Sequence, residues 1–296
     1  VPSINRQRPT QQSSSGDVWN DIVPVTRMPK KGLKFAVYGQ AKTGKTQFAC
    51  SFPKPMLLIG TEDGTDTVKT TPGVDFKRLQ SADQFGQLID GLAARRMSKS
   101  DPTKPYASVG IDTGGGLQDL ILKDVTGLAE IPLNRNWGIA SQQQWGQVTG
   151  QTKEYLARLF ALSEVPSIAL NVVVIAHERT FGGSQEEGAI EVVSPVVGAS
   201  LTPQAARWLD GAVDYLCQTF KRRQVITKEV VINKVKKQQN LVTDKIEYCL
   251  RTGPHQYFIT GFRLAGGRTP PDAIVNPNYD KVKAVIDNIR KEEATK

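Results

Sequence analysis

From Lys34 onward, short apolar runs alternate with longer segments of helical period. The runs at 34–39, 56–60 (MLLIG), 75–79, 108–112 (SVGID) and 171–176 (NVVVIA) read as strands. Segments 45–51, 83–97, 115–128 and 144–163 fit helices between them. In 83–97, Phe85, Leu88, Ile89, Leu92 and Met97 fall at helical spacing, which predicts a buried stripe. Strand–helix alternation of this kind predicts an α/β domain with a mostly parallel sheet.

After residue 205 the pattern changes. Segments 214–220, 247–251 and 257–263 read as successive strands of an antiparallel extension. Between the first two lies KRRQVITKEVVINKVKKQQN at 221–240, where alternation at Val225, Thr227, Val230 and Ile232 predicts a hairpin insertion spanning about 221–242. A Pro-rich segment at 269–277 precedes an amphipathic helix at 279–291. The first 16 residues are polar, and Trp19, Ile22 and Val23 then form an apolar patch that packs on the same domain or on a second subunit. The predicted organisation is a flexible extension (1–31), a core (32–265) and a C-terminal segment (266–296).

Charge sharpens this picture. The 38 Lys and Arg against 29 Asp and Glu give a net charge of +9, which favours a polyanionic partner. Cys50, Cys217 and Cys249 are odd in number and lack metal-ligand spacing, so reduced buried thiols are expected. No apolar run approaches a membrane span and no signal-peptide core is visible, so a soluble cytoplasmic protein is expected.

The chemistry is concentrated at 39–47. Gly39-Gln40-Ala41-Lys42-Thr43-Gly44-Lys45-Thr46 matches the phosphate-binding P-loop G-x-x-x-x-G-K-[ST], with a strand before it and Gln47 opening a helix behind it. Glycines let main-chain N–H groups approach a triphosphate, and the helix adds its positive end. Lys45 supplies charge for the β/γ-phosphates of ATP, and Thr46 a hydroxyl for Mg²⁺.

Strand ends supply the remaining groups. Asp112 closes an apolar strand and is a candidate carboxylate for the Mg²⁺ shell; the alternative is a cap on the next helix. Glu62 follows the second strand. Where that strand neighbours the P-loop strand, a carboxylate here can polarise the attacking water, with Asp63 as competitor. His177 closes the 171–176 strand and is a candidate γ-phosphate sensor. For nucleic acid, the basic stretch offers Arg222, Arg223, Lys234, Lys236 and Lys237.

Together these residues resemble the RecA-like ATPases. The run G-x-x-K-T-G-K-T, P-K-P-x-L-L-I-x-T-E-x-G, G-I-D-T, W-G-x-V and V-V-V-I-A-H-E is similar to the phage-encoded Sak-type members, which act as single-strand annealing proteins in recombination. The resemblance covers about residues 32–265. It implies a RecA-like P-loop NTPase fold and DNA-stimulated ATP hydrolysis with Mg²⁺, with Glu62 as the catalytic carboxylate and His177 as the sensor. It implies a homo-oligomer, ring or filament, with ATP between protomers and Arg263 reaching a neighbour's γ-phosphate. It places DNA-facing loops at 178–201, which includes Arg179, and near Arg135 and Trp137. Single-stranded DNA is the implied partner, with a single-strand-binding protein as a further one.

Three rivals remain at this level. A small-molecule kinase needs an Arg-rich lid, and the only pair before residue 130, Arg95-Arg96, is expected on a helix. A helicase or packaging motor needs coupling domains. A non-catalytic, nucleotide-gated DNA-binding protein would leave Glu62 idle.

Overall fold

The computed structural model describes residues 31–62, 68–131, 140–182, 195–232, 235–264 and 268–294; side chains are described outside 227–240 and 292–294. The N-terminal extension, with Trp19, Ile22 and Val23, lies outside these residues, as do Asp63, Arg135, Trp137 and Lys234.

The elements run β1 (Lys34–Gly39), α1 (Lys45–Ala49), β2 (Met56–Gly60), β3 (Val74–Arg78), α2 (Ala82–Ala93), β4 (Ser108–Asp112), α3 (Gly114–Thr126), α4 (Gln142–Glu164) and β5 (Asn171–Phe181). There follow β6 (Val196–Ala199), α5 (Pro203–Ala212), β7 (Tyr215–Ile232), β8 (Val235–Arg251), β9 (Gly261–Phe262), β10 (Ala273–Val275) and α6 (Tyr279–Ala294). Among the described residues the main path of the sheet is β10-β8-β7-β1-β5-β4-β2-β3. From β7 to β3 all neighbours are parallel; β8, β9 and β10 add antiparallel pairs.

The central strands are apolar on both faces because both faces are covered. Ala36, Tyr38, Ile59, Ile111 and Val174 pack against α2, α3, α4 and α5. Phe35, Val37, Leu58, Val173 and Ile175 point the other way, against Phe48 of α1 and Val282 and Ile286 of α6. Phe35 also stacks on Tyr215 at 4.6 Å between ring centres. The free cysteines are buried. No described helix is long and apolar enough to cross a membrane.

Three details depart from the pattern reading. Helix α2 stops at Ala93 and Arg95 takes φ 54°, so Arg95-Arg96 follow the helix and Met97, outside the stripe, is exposed. The strand carrying His177 continues to Phe181, because Glu178–Phe181 pair with β6. Only Gly261 and Phe262 of the 257–263 segment form a strand.

One half-buried acid gives a pH test. Burial raises the Asp210 carboxyl on α5 to about 6. Its folded-state pKa then lies above the unfolded one, so its effect on stability becomes unfavourable as pH rises from about 4 to about 6 and stays so above. Two units correspond to about 3 kcal/mol; partial exposure reduces this to about 1 kcal/mol. Asp210→Asn is therefore expected to be more stable than the parent at pH 7, with the difference vanishing towards pH 4. Urea denaturation across that range checks it; a pH-independent difference refutes it.

Candidate nucleotide site

The carboxyl ends of parallel strands are where an open α/β sheet places its ligand. Here Gly39 ends β1 between His177 of β5 and Thr219 of β7. A Cβ at Gly39 would stand 2.4 Å from the Thr219 carbonyl oxygen, so only glycine lets the chain turn off the sheet there. Gly44 takes φ 87° as it enters α1, again the province of glycine. The loop between them is tied down by Thr43, whose hydroxyl donates to the Gln40 carbonyl at 2.8 Å and lies 2.7 Å from Thr219 Oγ1.

Lys45 Nζ donates to the carbonyl oxygens of Gly39 (2.9 Å) and Gln40 (2.6 Å). Those oxygens satisfy an ammonium whose pKa is lowered by burial. Thr46 Oγ1 donates to Asp112 Oδ2 at 2.6 Å. Burial also raises the Asp112 carboxyl, an effect opposed by the Thr46 hydroxyl and reinforced by the Glu62 charge. Asp112 does not cap the next helix; Thr113 does, its Oγ1 accepting from Gly116 N at 3.0 Å.

Glu62 reaches this group from a strand that is not a neighbour of β1. Both β5 and β4 stand between β1 and β2. The link is Thr113: its hydroxyl donates to Glu62 Oε1 at 2.9 Å. Thr61 Oγ1 in turn accepts from Thr113 N at 2.9 Å. His177 Nε2 lies 3.7 Å from Glu62 Oε2. A trench of about 510 Å³ is lined by Lys42, Gly44–Gln47, Glu62, Phe76, Asp112, Thr113, His177 and Tyr248.

The donor set suits a metal–triphosphate. A helix entry flanked by glycines and a buried lysine fit phosphate oxygens, while the Thr46 hydroxyl and Asp112 carboxylate are the hard oxygen ligands that Mg²⁺ takes alongside water. The metal would supply charge neutralisation at the phosphates. A carboxylate held by Thr113 beside an imidazole can accept a proton from water.

A family model described as AAA domain matches residues 31–264, most of the chain. The chain belongs to the AAA-domain family of P-loop ATPases. No curated protein matches it.

Other candidate residues fall elsewhere in this AAA domain. Arg263 sits beside Asp214, just before β7 begins and at the amino end of the parallel strands, bonded to Gly211 O at 2.7 Å and 3.4 Å from Asp214 Oδ1, so within its own chain it stays away from the trench at their carboxyl ends. Arg179 lies on β5 opposite Gly198, its guanidinium over Phe181. Arg222 pairs with Glu247 at 3.1 Å, and Arg223 is exposed. Lys236 and Lys237 lie on β8. The residue pattern gives no sign of Phe76 and Tyr248 as trench residues, and shows Thr113 only as part of a motif. Spacing holds no signal for Tyr248, which comes from some 200 residues beyond the loop it adjoins.

Proposed function

We propose that this AAA-domain ATPase is a single-stranded-DNA-dependent recombinase of the Sak type, which assembles on DNA and promotes annealing or strand exchange. The observation that carries the reading is the β7–β8 ribbon. Beyond Tyr248 its strands pair only with each other among the described residues. Such a ribbon is marginal alone, and this one exposes Val225, Ile246 and, at 64%, Val242. Lys221, Arg222, Arg223 and Lys245 add positive charge at its root. Apolar surface interleaved with cations is what single strands bind. The ribbon springs from Thr219, which touches the P-loop, so nucleotide state and DNA contact share one strand. In this reading Mg²⁺–ATP lies between protomers, Arg263 serves the neighbour's site, His177 reports the γ-phosphate, and the segments around Arg135, Trp137 and Arg179 face DNA.

The test is steady-state ATP hydrolysis with and without single-stranded oligonucleotide. Stimulation is expected. Replacing Arg223, Lys236 and Lys237 together by alanine should weaken binding and reduce the salt dependence of log K by about 0.7 for each phosphate no longer neutralised, about 2 in all. Turnover indifferent to DNA, together with no DNA retention in a non-hydrolysable analogue, overturns the proposal. Phosphoryl transfer to a small acceptor would instead mark a kinase, and duplex unwinding a motor.

A further inference from the structure

The trench has a direction. In strand order its lining runs from Tyr248 of β8, past the P-loop after β1, to His177 of β5, Asp112 of β4, Glu62 after β2 and Phe76 of β3, with Thr46 bonded to Asp112 and His177 3.7 Å from Glu62. The acid, the imidazole and the hydroxyl–carboxylate pair belong with the terminal phosphate and its metal. A nucleoside bound to the same phosphates then leaves on the other side, towards β7 and β8.

The wall on that side is Tyr248. Its Cδ1 lies 3.5 Å from where a Cβ on Gly44 would stand, so the ring adjoins the turn that begins α1. It is 43% exposed, while Cys249 and Leu250 beside it are buried. Its backbone is held from both sides. It pairs with Lys221 on β7, and its carbonyl accepts from Asn276 N at 2.7 Å. Lys281 Nζ fixes that second contact by donating to the carbonyls of Val275 and Asn276 at 3.0 and 2.9 Å. By ordinary strand spacing, β8 stands about 10 Å from β1. An open aromatic face on an anchored strand, one nucleoside's reach from the phosphate cradle, is a stacking surface.

We propose that Tyr248 is the platform on which the nucleobase of the bound nucleoside triphosphate stacks. The inference rests on ATP filling the trench and is independent of DNA. Stacking uses the ring face, so the hydroxyl is dispensable and the preference among bases is weak.

The experiment compares binding of Mg²⁺–ATP and of inorganic tripolyphosphate with Mg²⁺, by calorimetry without DNA, in the parent, Tyr248→Ala, Tyr248→Phe and Tyr248→Trp. Tripolyphosphate has the anionic charge and no base. The alanine variant should lose roughly ten- to a hundredfold in ATP affinity and keep its tripolyphosphate affinity, while the phenylalanine and tryptophan variants keep both. Equal loss for both probes would mean that the ring only supports the loop and overturns the proposal. So does no loss for ATP, including the case where Tyr248→Ala impairs only DNA binding. A parent that binds ATP but hydrolyses it without regard to DNA would defeat the recombinase reading and leave the platform standing.

Discussion

Glutamine in place of Glu62 is expected to slow ATP hydrolysis by about 10²–10⁴-fold, the range for removing a positioned general base. ATP affinity should stay within about threefold of the parent, the pattern of an interaction used only in the transition state. The substitution is nearly isosteric. Its side-chain oxygen can still accept from Thr113 Oγ1, which holds Glu62 Oε1 at 2.9 Å, so the helix cap and the strand end should survive. What disappears is the capacity to take a proton. The His177 imidazole at 3.7 Å would face a neutral amide, and Asp112 would lose a neighbouring negative charge that raises its pKa. Single-turnover hydrolysis together with equilibrium ATP binding separates the two effects. A rate within tenfold of the parent would remove Glu62 from the chemistry and turn attention to Asp63.

Lys45→Ala acts earlier, on binding. Its ammonium is largely buried, satisfied by two main-chain carbonyls and surrounded by the charges of Asp112, Glu178 and Glu62. Truncating one partner of a buried charge pair costs about 2–4 kcal/mol, or roughly 30- to 1,000-fold in ATP affinity. Turnover should fall to background with or without DNA. Calorimetric titration with Mg²⁺–ATP measures the first effect and phosphate release the second. The carbonyls of Gly39 and Gln40 lose a partner as well, so a thermal-stability control belongs beside the titration. ATP affinity unchanged in the variant would refute the assignment of the cradle.

The strands β1, β2, β4 and β5 were legible because each is a short run buried on both faces, a pattern with few alternatives. Strand β6 and helix α5 were not. Four residues such as Val196–Ala199 carry too little periodicity, and α5 opens at Pro203 after a Thr202 whose side chain makes no capping bond. The P-loop was readable because its function is local: eight consecutive residues make the whole cradle. Asp112 is readable from its apolar lead-in, but whether it or Thr113 caps the next helix depends on backbone geometry, which aims the Thr113 hydroxyl at Gly116 N. Glu62 shows the limit most clearly. Its placement depends on strand order, which no spacing encodes, and on a hydroxyl 51 residues away. The hairpin was visible as alternation, but its pairing out to Ile232 and Val235 is a property of two strands together.

That hairpin also has a mechanical meaning. From Thr219, against the P-loop, to Ile232 at its far end, β7 extends about 40 Å at ordinary strand rise. Its root is clamped by β1 on one side and by β10, through β8, on the other. A ribbon anchored at its root, whose outer part pairs only with itself among the described residues, amplifies small rotations: a tilt of about 5° at Thr219 carries the tip through roughly 4 Å, about one residue rise along a strand. Sub-ångström adjustments around a phosphate would thus be read out, at the far end, as a displacement of one step.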